Sequence, residues 1–588
     1  MESQGVGDIK TLFTTLTLPQ GGWALEGGAC LQRIDVAYET YGALNADKSN
    51  VVFVCHALTG DAHAAGTQGG EAKSAGWWDG FIGPGRGIDT ARYFVVCANI
   101  LGGCKGTTGP SSPHPTDGKP YGSRFPEITI GDIVAVHKLF LEQTFGISKV
   151  ATVIGGSFGG MQVLEFALRF PDFIERAICI AAGACLAPQA LAFDIVGRAA
   201  ILRDPNWQGG DYYGGEHPTM GLALARQLAH ITYISNDLME EKFGRRRRAG
   251  HEGASDAVSP FEIESYLDYQ GQKFIKRFDA NSYIRISKAM ADCDLERRFG
   301  TLKDAFANVS AKMLVVALSG DWLFLPEQSE ALVEAMLENG KDVSYVCLDA
   351  PAGHDAFLTH IAPLISTVRA FLGGRVVAHK MPGNPERRTD YEHLLRLIPE
   401  RCASALDLGC GDGTLLGLVR QHCGTSVTTG VDFALESALG ALHEGHNFLL
   451  SDIDHGLELI PDNSYDCVLL SETLQVMKRP ADVLKEMLRI APVGIVSFPN
   501  FGQWSVRCNL FFSGRMPRTK RLPHEWHNTP NIHLCTLKDF LALCDTLGTH
   551  VDATVHLSTR RISKALSALG LPNLGASRVL VRITRSPH

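Results

Sequence analysis

Short apolar runs alternate along the chain with segments whose apolar residues recur at helical spacing. Six of these runs predict buried parallel strands, at residues 51–55, 93–99, 149–154, 177–182, 312–318 and 343–348. Helical spacing at residues 133–144 and 163–170 places helices between strands, and residues 13–18 and 34–41 flank a turn as in a β-hairpin. Strands that alternate with helices in this way are typical of the α/β fold class.

A long charged stretch interrupts this strand pattern. From about residue 185 to residue 298 the spacing is helical and no buried-strand run occurs. The stretch therefore predicts a lid of helices inserted into the sheet domain. Within it, Arg245 to Arg248 form a run of four arginines, which we interpret as a solvated face, and His230 is interpreted as a structural histidine.

The pattern also predicts a second domain. Polar residues 376–388, which include Pro and Gly, are typical of a linker between domains. Strand character then returns in four runs, at residues 403–408, 426–431, 448–450 and 494–498. We therefore predict a first domain of residues 1–375 and a second of residues 389–588, as the length of 588 residues also favours.

Composition excludes several classes of function. A net charge of −8, with 45% hydrophobic and 20% charged residues, gives no basic surface for nucleic acid or an anionic membrane. No signal-peptide pattern begins the chain and no apolar run reaches about 18 residues, so we expect a cytoplasmic protein. The 15 cysteines have no paired metal-ligand spacing, which favours reduced thiols and no metal site.

The turn Gly155-Gly156-Ser157-Phe158-Gly159 joins a predicted strand to a predicted helix. A serine in a G-x-S-x-G turn at such a junction is typical of a nucleophile elbow, where a sharp turn presents the hydroxyl. Glycines suit this turn because neighbouring Cβ atoms would clash. Glycine-rich turns also occur without such chemistry, so the interpretation depends on partner residues.

Asp321 and His354 are the predicted partners, because each follows a predicted strand. The order Ser157, Asp321, His354 is the order of the triad in α/β-hydrolases. His354 would accept the serine proton, and Asp321 would orient the imidazole. We therefore predict an α/β-hydrolase fold with an inserted helical lid.

Two backbone N–H groups are the predicted oxyanion donors. They belong to Leu58, in the loop after the strand at residues 51–55, and to Phe158, directly after the nucleophile. Two charged residues suit an α-amino acid acceptor: Asp355 beside the base and Arg226 in the lid. Arg226 has an alternative role, which is to pair with a carboxylate of the lid.

The second domain carries a glycine-rich loop after its first strand. Asp407, Gly409, Gly411 and Gly413 form a D-x-G-x-G-x-G pattern that leads into helical spacing at residues 414–421. This arrangement predicts a Rossmann-like nucleotide site, and the glycine spacing disfavours a dinucleotide. An acidic residue follows each of the next two strands. Asp432 would accept hydrogen bonds from ribose hydroxyls, and Asp452 would contact an adenine. Together with the loop, these two residues indicate an S-adenosylmethionine site.

The first domain resembles the homoserine O-acetyltransferase (MetX) family. The resemblance spans about residues 10–375 and is carried by NILGGCKGTTGPSS, GGSFGGMQ, LARQLAHITY, SGDWLFLP and AGHDAFL. It implies L-homoserine and acetyl-CoA as substrates, no cofactor for acyl transfer, and a homodimer formed through the lid. It also implies that Ser157, Asp321 and His354 are catalytic and that Arg226 and Asp355 contact homoserine.

One residue bears on the acyl donor. Family members that resemble succinyl-CoA users carry an arginine two residues after the triad aspartate, where this chain has Leu323. Without that cation a succinyl carboxylate would be buried unpaired. We therefore predict acetyl-CoA, with homoserine O-succinyltransferase and a simple serine esterase as the alternatives.

The second domain resembles the methionine biosynthesis protein MetW, over about residues 388–555. The motifs are DLGCGDG, LSETLQVMKRP, GIVSFPNFGQW, GRMPRTKRLPHEW and TPNIHLCTLKDF. The resemblance implies a class I methyltransferase-type fold that supports the acyltransferase, with S-adenosylmethionine as a candidate ligand. A catalytic methyltransferase is the alternative. Residues 504–526, rich in aromatic and basic residues, form a candidate contact surface.

Overall fold

The computed structural model describes residues 5–69, 74–248, 261–374, 385–518, 525–558 and 560–585. The chain divides into two units, Met1–Arg369 and Ala370–His588. Most of the predicted linker, residues 376–384, lies outside the described residues. A helix begins at Pro385, within the segment that we predicted as linker.

The first unit is built on one mixed sheet with strand order β1-β4-β8-β5-β9-β10-β11-β12. Strands β1, β4 and β8 pair antiparallel, and every pair from β8 to β12 is parallel. Two short pairs, β2 with β3 and β6 with β7, lie outside it. The strands are β1 (Leu12–Thr15), β2 (Trp23–Ala24), β3 (Cys30–Leu31), β4 (Asp35–Tyr41), β5 (Val51–Cys55), β6 (Ile82–Gly83), β7 (Ile88–Asp89), β8 (Phe94–Ala98), β9 (Val150–Gly156), β10 (Ile174–Ile180), β11 (Lys312–Leu318) and β12 (Val343–Leu348).

Helices surround this sheet, and local signals explain where they begin. The helix predicted at residues 133–144 is confirmed, but it begins earlier because Thr129 and Asp132 form a capping box. The described part of the lid contains helices and no strand, as predicted. The helices are α1 (Ile130–Phe145), α2 (Phe158–Arg169), α3 (Pro188–Leu202), α4 (Thr219–Tyr233), α5 (Asn236–Lys242), α6 (Glu262–Ile275), α7 (Ala280–Ala291), α8 (Leu295–Phe299), α9 (Leu302–Phe306), α10 (Pro326–Glu338), α11 (Ala356–Thr359) and α12 (Ile361–Phe371).

Strand register brings several loops to one edge of this sheet. Gly155 in β9 pairs with Cys55 in β5, and Leu318 in β11 pairs with Leu348 in β12. The carboxyl ends of these parallel strands therefore lie on the same side. In open α/β sheets this edge is where ligands bind.

The strands of the second unit have the order β15-β14-β13-β16-β17-β19-β18. Strands β15 to β17 are parallel, and β19 and β18 add antiparallel. The strands are β13 (Ser404–Leu408), β14 (Val427–Asp432), β15 (Asn447–Leu450), β16 (Cys467–Ser471), β17 (Val493–Pro499), β18 (Thr549–Leu557) and β19 (Arg578–Arg585). The helices are α13 (Pro385–Leu395), α14 (Thr414–Cys423), α15 (Leu435–His443), α16 (Pro480–Ile490), α17 (Trp504–Ser513), α18 (Leu537–Thr546), α19 (Arg561–Ala568) and α20 (Pro572–Gly575).

Both units bury apolar strands, as the sequence pattern predicts. Every residue of β5, β8 and β9 is buried, and so is most of β13. Strands covered on both faces read as continuous apolar runs, which is why these runs were visible in the sequence. Among the described helices, none combines the length and apolar character that crossing a membrane requires.

Candidate active site

Ser157 sits in a strained turn between β9 and α2. Its φ is 58° and its ψ is −126°, values that non-glycine residues rarely adopt. A Cβ at Gly159 would lie 2.2 Å from the Cys55 carbonyl oxygen, and one at Gly155 would lie 2.5 Å from Gly159. The flanking glycines are therefore required by close backbone approach, which is the geometry of a nucleophile elbow.

Asp321 and His354 form a buried hydrogen-bonded pair. His354 Nδ1 lies 2.6 Å from Asp321 Oδ2, and the backbone N–H groups of Leu323 and Phe324 donate to Oδ1 at 2.9 and 3.0 Å. Both residues are 2% exposed. Burial alone would lower the pKa of His354, but the charge and hydrogen bond of Asp321, together with Asp355, raise that pKa above its ordinary value.

The predicted oxyanion donors are available. Within the described residues, the N–H groups of Leu58 and Phe158 donate to no other protein group. Phe158 is the first residue of α2, so its N–H has no acceptor inside the helix. Leu58 and Ser157 line one cavity of about 40 Å³, together with Leu323 and lid residues that include Asp194 and Tyr233.

Arg226 and Asp355 lie close to this pair. Arg226 donates to Thr59 Oγ1 at 3.1 Å, and its guanidinium lies 5.4 Å from the Tyr233 ring centroid and 4.9 Å from that of Phe274. Burial raises the pKa of Asp355, and the charges of His354 and Arg226 oppose that shift. The two predicted substrate contacts therefore share one electrostatic environment.

Three residues of this region, Thr59, Tyr233 and Asp194, were not singled out from the sequence. Thr59 accepts from Arg226 through its side chain and from Arg277 through its carbonyl, the latter at 2.9 Å. The ring of Tyr233 lies near that of His354, with the centroids 6.0 Å apart and the planes tilted. Asp194 lines the cavity and pairs with Arg198, and burial raises its pKa to about 6. No local sequence signal marks them, because their contacts form only when the lid helices pack over the sheet and its loops.

The structural interpretations of two other lid features agree with the structure. His230 is buried against the Tyr266 hydroxyl, 3.2 Å from Nδ1, and burial lowers its pKa to about 3. Arg246 and Arg248 pair with Glu262 and Glu264 of α6. These side chains therefore have partners within the lid.

In the second unit the predicted loop connects β13 to α14. Gly409, Gly411 and Gly413 have φ values of 75°, 53° and 80°, which favour glycine. Asp432, the last residue of β14, accepts from the Gly411 N–H at 3.1 Å through Oδ2 and from the Ala434 N–H at 3.1 Å through Oδ1. The acidic side chain and the glycine loop thus form one connected element.

The residues of this loop fit S-adenosylmethionine. Asp407 is 2% exposed and its Oδ1 has no hydrogen-bond partner among the described residues, so a buried acceptor is left for a ligand donor. Burial, and then the charge of Asp432, raise the pKa of Asp407 well above its usual range. Asp452 is more peripheral, since its side chain is 53% exposed and it pairs with His455 at 3.2 Å.

Comparison with known proteins finds a matching family model for each of the two units. A family model for the alpha/beta hydrolase fold matches residues 50–361, and one for the methionine biosynthesis protein MetW matches residues 388–583. The structure resembles a homoserine O-acetyltransferase from Bacillus anthracis, with a TM-score of 0.58 and 29% identity, over 63% of this chain and 99% of that one. It also resembles esterase E22, with a TM-score of 0.57 and 29% identity, over 62% of this chain and 100% of the esterase.

The mainly parallel sheet, the strained serine and the buried Asp–His pair define an enzyme of the α/β-hydrolase class. The chain is 42% identical over 576 residues to the bifunctional methionine biosynthesis protein MetXA/MetW of Rhodopirellula baltica, covering 95% of this chain and 91% of the relative. It belongs to that family. Over 422 residues it is 48% identical to the homoserine O-acetyltransferase of Methanococcoides burtonii, covering 71% of this chain and 86% of the relative.

Proposed function

We propose that the first unit is a homoserine O-acetyltransferase, which moves the acetyl group of acetyl-CoA to the hydroxyl of L-homoserine. The observation that carries this proposal is a cation and a carboxylate, near His354, that have no ion-pair partner among the described residues. Among the described residues, no carboxylate lies within salt-bridge distance of Arg226 and no cation within that distance of Asp355. L-Homoserine carries one ammonium and one carboxylate group, so its binding would pair with both Asp355 and Arg226.

The first half of the reaction acylates the enzyme. Ser157 Oγ attacks the thioester carbonyl while His354 Nε2 takes its proton, and Asp321 keeps the imidazole in the tautomer that leaves Nε2 free. Negative charge develops on the carbonyl oxygen, to which the Leu58 and Phe158 N–H groups would donate. The C–S bond then breaks, the proton passes from His354 to the sulfur, and CoA leaves as the thiol.

The second half transfers the acetyl group to homoserine. Arg226 would hold the α-carboxylate and Asp355 the α-ammonium, which leaves the side-chain hydroxyl to approach the acyl-serine. His354 takes the hydroxyl proton and returns it to Ser157 Oγ as the ester bond breaks. The product is O-acetyl-L-homoserine.

The cavity at Ser157 favours an acetyl donor. Leu323 lines this cavity and is 8% exposed. Its side chain is apolar, so it provides no cation to pair with the terminal carboxylate of a succinyl group. Asp194 lines the same cavity, and its partner Arg198 is already paired. A succinyl group would therefore place an unpaired carboxylate in a small, largely apolar space.

Thiol release tests this function directly. Purified chain is given acetyl-CoA or succinyl-CoA, each with and without L-homoserine, and Ser157→Ala serves as the blank. We expect homoserine-dependent release from acetyl-CoA. Preference for succinyl-CoA would overturn the argument from Leu323 but leave the triad, whereas release that ignores homoserine would favour an esterase.

A serine esterase is the second candidate, because esterase E22 matches the fold nearly as well as the acetyltransferase from B. anthracis does. The two functions differ in the acceptor, which is homoserine in one case and water in the other. An esterase has no use for a zwitterion site, so the unpaired Arg226 and Asp355 favour the acetyltransferase.

For the second unit, we propose a module that binds S-adenosylmethionine and supports the acyltransferase without catalysing methyl transfer. When bound, this cofactor supplies an electrophilic methyl group. Asp432 would accept hydrogen bonds from ribose hydroxyls, Asp452 would contact the adenine, and Asp407 would accept from the ligand through its unpartnered oxygen. Gly409, Gly411 and Gly413 would let the backbone approach the ligand.

Calorimetric titration of the full chain tests the module. We expect S-adenosylmethionine to bind wild type and to bind Asp432→Ala much more weakly, since that carboxylate also holds the loop. Asp482→Ala, on the exposed part of α16, is the matched control. Transfer of a labelled methyl group to any product would refute the non-catalytic proposal in favour of a methyltransferase.

We also propose that the lid pairs two copies of the chain. Large apolar side chains are exposed on α3 and α4: Ile195 at 50%, Val196 at 58%, Met220 at 74% and Leu224 at 55%. An apolar area of this kind on one surface is typical of a protein interface. Light scattering should show a dimer for wild type and a monomer for Leu224→Glu, with Leu12→Glu on strand β1 as the control.

A further inference from the structure

Two buried polar side chains lie behind the predicted oxyanion donors. His56 and Gln162 are 2% and 0% exposed, and neither takes part in the proposed proton transfers. Both hydrogen-bond to backbone in the loop after β5 or in the first turn of α2. These are the two segments that carry Leu58 and Phe158.

His56 fixes the direction of the peptide between Ala57 and Leu58. The Ile100 N–H donates to Nε2 at 3.3 Å, so in the neutral ring Nδ1 carries the proton. Nδ1 then donates to the Ala57 carbonyl at 2.8 Å, and the Gly60 N–H donates to the same oxygen at 2.9 Å.

That carbonyl and the Leu58 N–H belong to one planar peptide, in which a trans bond points the two groups in opposite directions. Holding the oxygen therefore aims the N–H. Hydrogen bonds accepted by the carbonyl also polarise the peptide, which makes its N–H a better donor.

Gln162 joins the two donor segments. Its Nε2 donates to the His56 carbonyl at 3.1 Å and to the Phe158 carbonyl at 3.3 Å. Because carbonyls only accept, these two neighbours require the nitrogen end of the amide on this side. The oxygen end of the amide is buried and has no hydrogen-bond partner among the described residues.

We propose that His56 and Gln162 are positioning residues of the oxyanion hole. Together they hold the Leu58 and Phe158 N–H groups at the separation and direction that a tetrahedral oxyanion requires. The stabilisation then needs no reorganisation during the reaction, which is what makes such donors effective. The inference rests on the proposed acyl transfer through Ser157, but not on the identity of donor or acceptor.

Variants of the full chain separate positioning from a general structural role. His56→Leu removes both ring nitrogens, whereas His56→Asn places an amide nitrogen near the position of Nδ1 and keeps the bond to Ala57. Gln162→Met is close in shape and removes the amide. Its matched control is Gln143→Met, which breaks a 2.8 Å side-chain bond to the Thr17 carbonyl away from the site.

Each variant is assayed for acyl-enzyme formation from acetyl-CoA by rapid quench, for steady-state acetyl transfer, and for thermal unfolding. Inhibition by a small alkylboronic acid is measured as well, because boron bound to the serine forms a tetrahedral anion that needs the oxyanion donors. This last readout responds to the oxyanion hole and not to binding of the acceptor.

We expect His56→Leu and Gln162→Met to slow acyl-enzyme formation about 10- to 100-fold, since a displacement of about 1 Å can cost on the order of 100-fold. Boronic acid affinity should fall in parallel, KM for homoserine should stay unchanged, and His56→Asn should recover most of the rate. Gln143→Met should behave as wild type.

Wild-type affinity for the boronic acid in both His56→Leu and Gln162→Met would overturn the inference, and so would an equal loss of rate in Gln143→Met. If His56→Leu does not fold, Gln162→Met decides by the same criterion. A wild-type chain that forms no acyl-enzyme would instead overturn the proposed function, and this inference with it.

Discussion

Replacing Arg226 with methionine tests the proposed acceptor site most sharply. Methionine keeps an apolar stem that packs against Tyr233 and Phe274, but it carries no charge. Removing one partner of a buried charge pair costs about 2–5 kcal/mol. At about 1.4 kcal/mol for each factor of ten, kcat/KM for homoserine should fall between about 30-fold and about 4,000-fold.

The two half-reactions locate this loss. Acylation by acetyl-CoA alone is followed as a burst of thiol, and deacylation is followed as a function of homoserine concentration. Arg226→Met should acylate at nearly the wild-type rate and lose the homoserine-dependent step, because the cation is proposed to contact only the acceptor. Arg285→Met is the control, since Arg285 also lies in the lid but hydrogen-bonds to the Ser123 carbonyl.

Either of two results would refute this reasoning. If acylation and homoserine transfer fell by the same factor, Arg226 would be acting through the loop that it contacts at Thr59 rather than on the acceptor. An unchanged kcat/KM for homoserine would remove Arg226 from the site altogether. Hydrolysis of a small ester serves as a third readout, and it should persist in Arg226→Met.

Four further predictions concern the base, the aspartate that orients it, the acyl donor and the second unit. The pKa of His354 is raised above 6.5 and only its neutral form accepts a proton, so kcat/KM should rise as pH increases through that pKa in a pH–rate profile. Asp321→Asn should lower kcat on the order of 10⁴-fold in the thiol assay, because the wrong tautomer is then favoured. Leu323→Arg should shift the ratio of kcat/KM values toward succinyl-CoA over acetyl-CoA, and an unchanged ratio would contradict the charge argument. The Asn500 side chain makes four hydrogen bonds to backbone groups of the second unit. Because each buried group left unsatisfied costs about 1–3 kcal/mol, Asn500→Ala should destabilise this unit by about 3 kcal/mol in denaturant unfolding. The control Asn509→Ala, on exposed α17, should have little effect.

Much of the fold could be predicted because its strands are buried on both faces. The runs at residues 312–318 and 343–348 coincide with β11 and β12, and the strand predicted at 494–498 lies within β17. The ends of helices and strands were harder to predict where tertiary or capping contacts determine them. The start of α1 depends on Thr129 and Asp132, and the pattern of apolar residues does not include them.

The residues of the candidate site also fall into those that local sequence patterns predict and those that depend on tertiary contacts. Ser157, Asp321 and His354 follow strand ends, so their chain order and local pattern predicted that they would meet. Thr59 and Asp194 could not be recognised, because their contacts form only when the lid helices fold onto the sheet. Their roles depend on long-range packing, which no local spacing encodes.

The carboxylate of Asp321 also limits how acyl selectivity can evolve. One of its oxygens is held by the backbone of Leu323, whose side chain lines the acyl cavity. Moving that backbone to admit another acyl group would disturb the aspartate that orients the base. Replacing the Leu323 side chain alone leaves the hydrogen bond to Asp321 intact. A substitution at this position can therefore change which acyl-CoA is used, whereas remodelling of the loop backbone would impair catalysis.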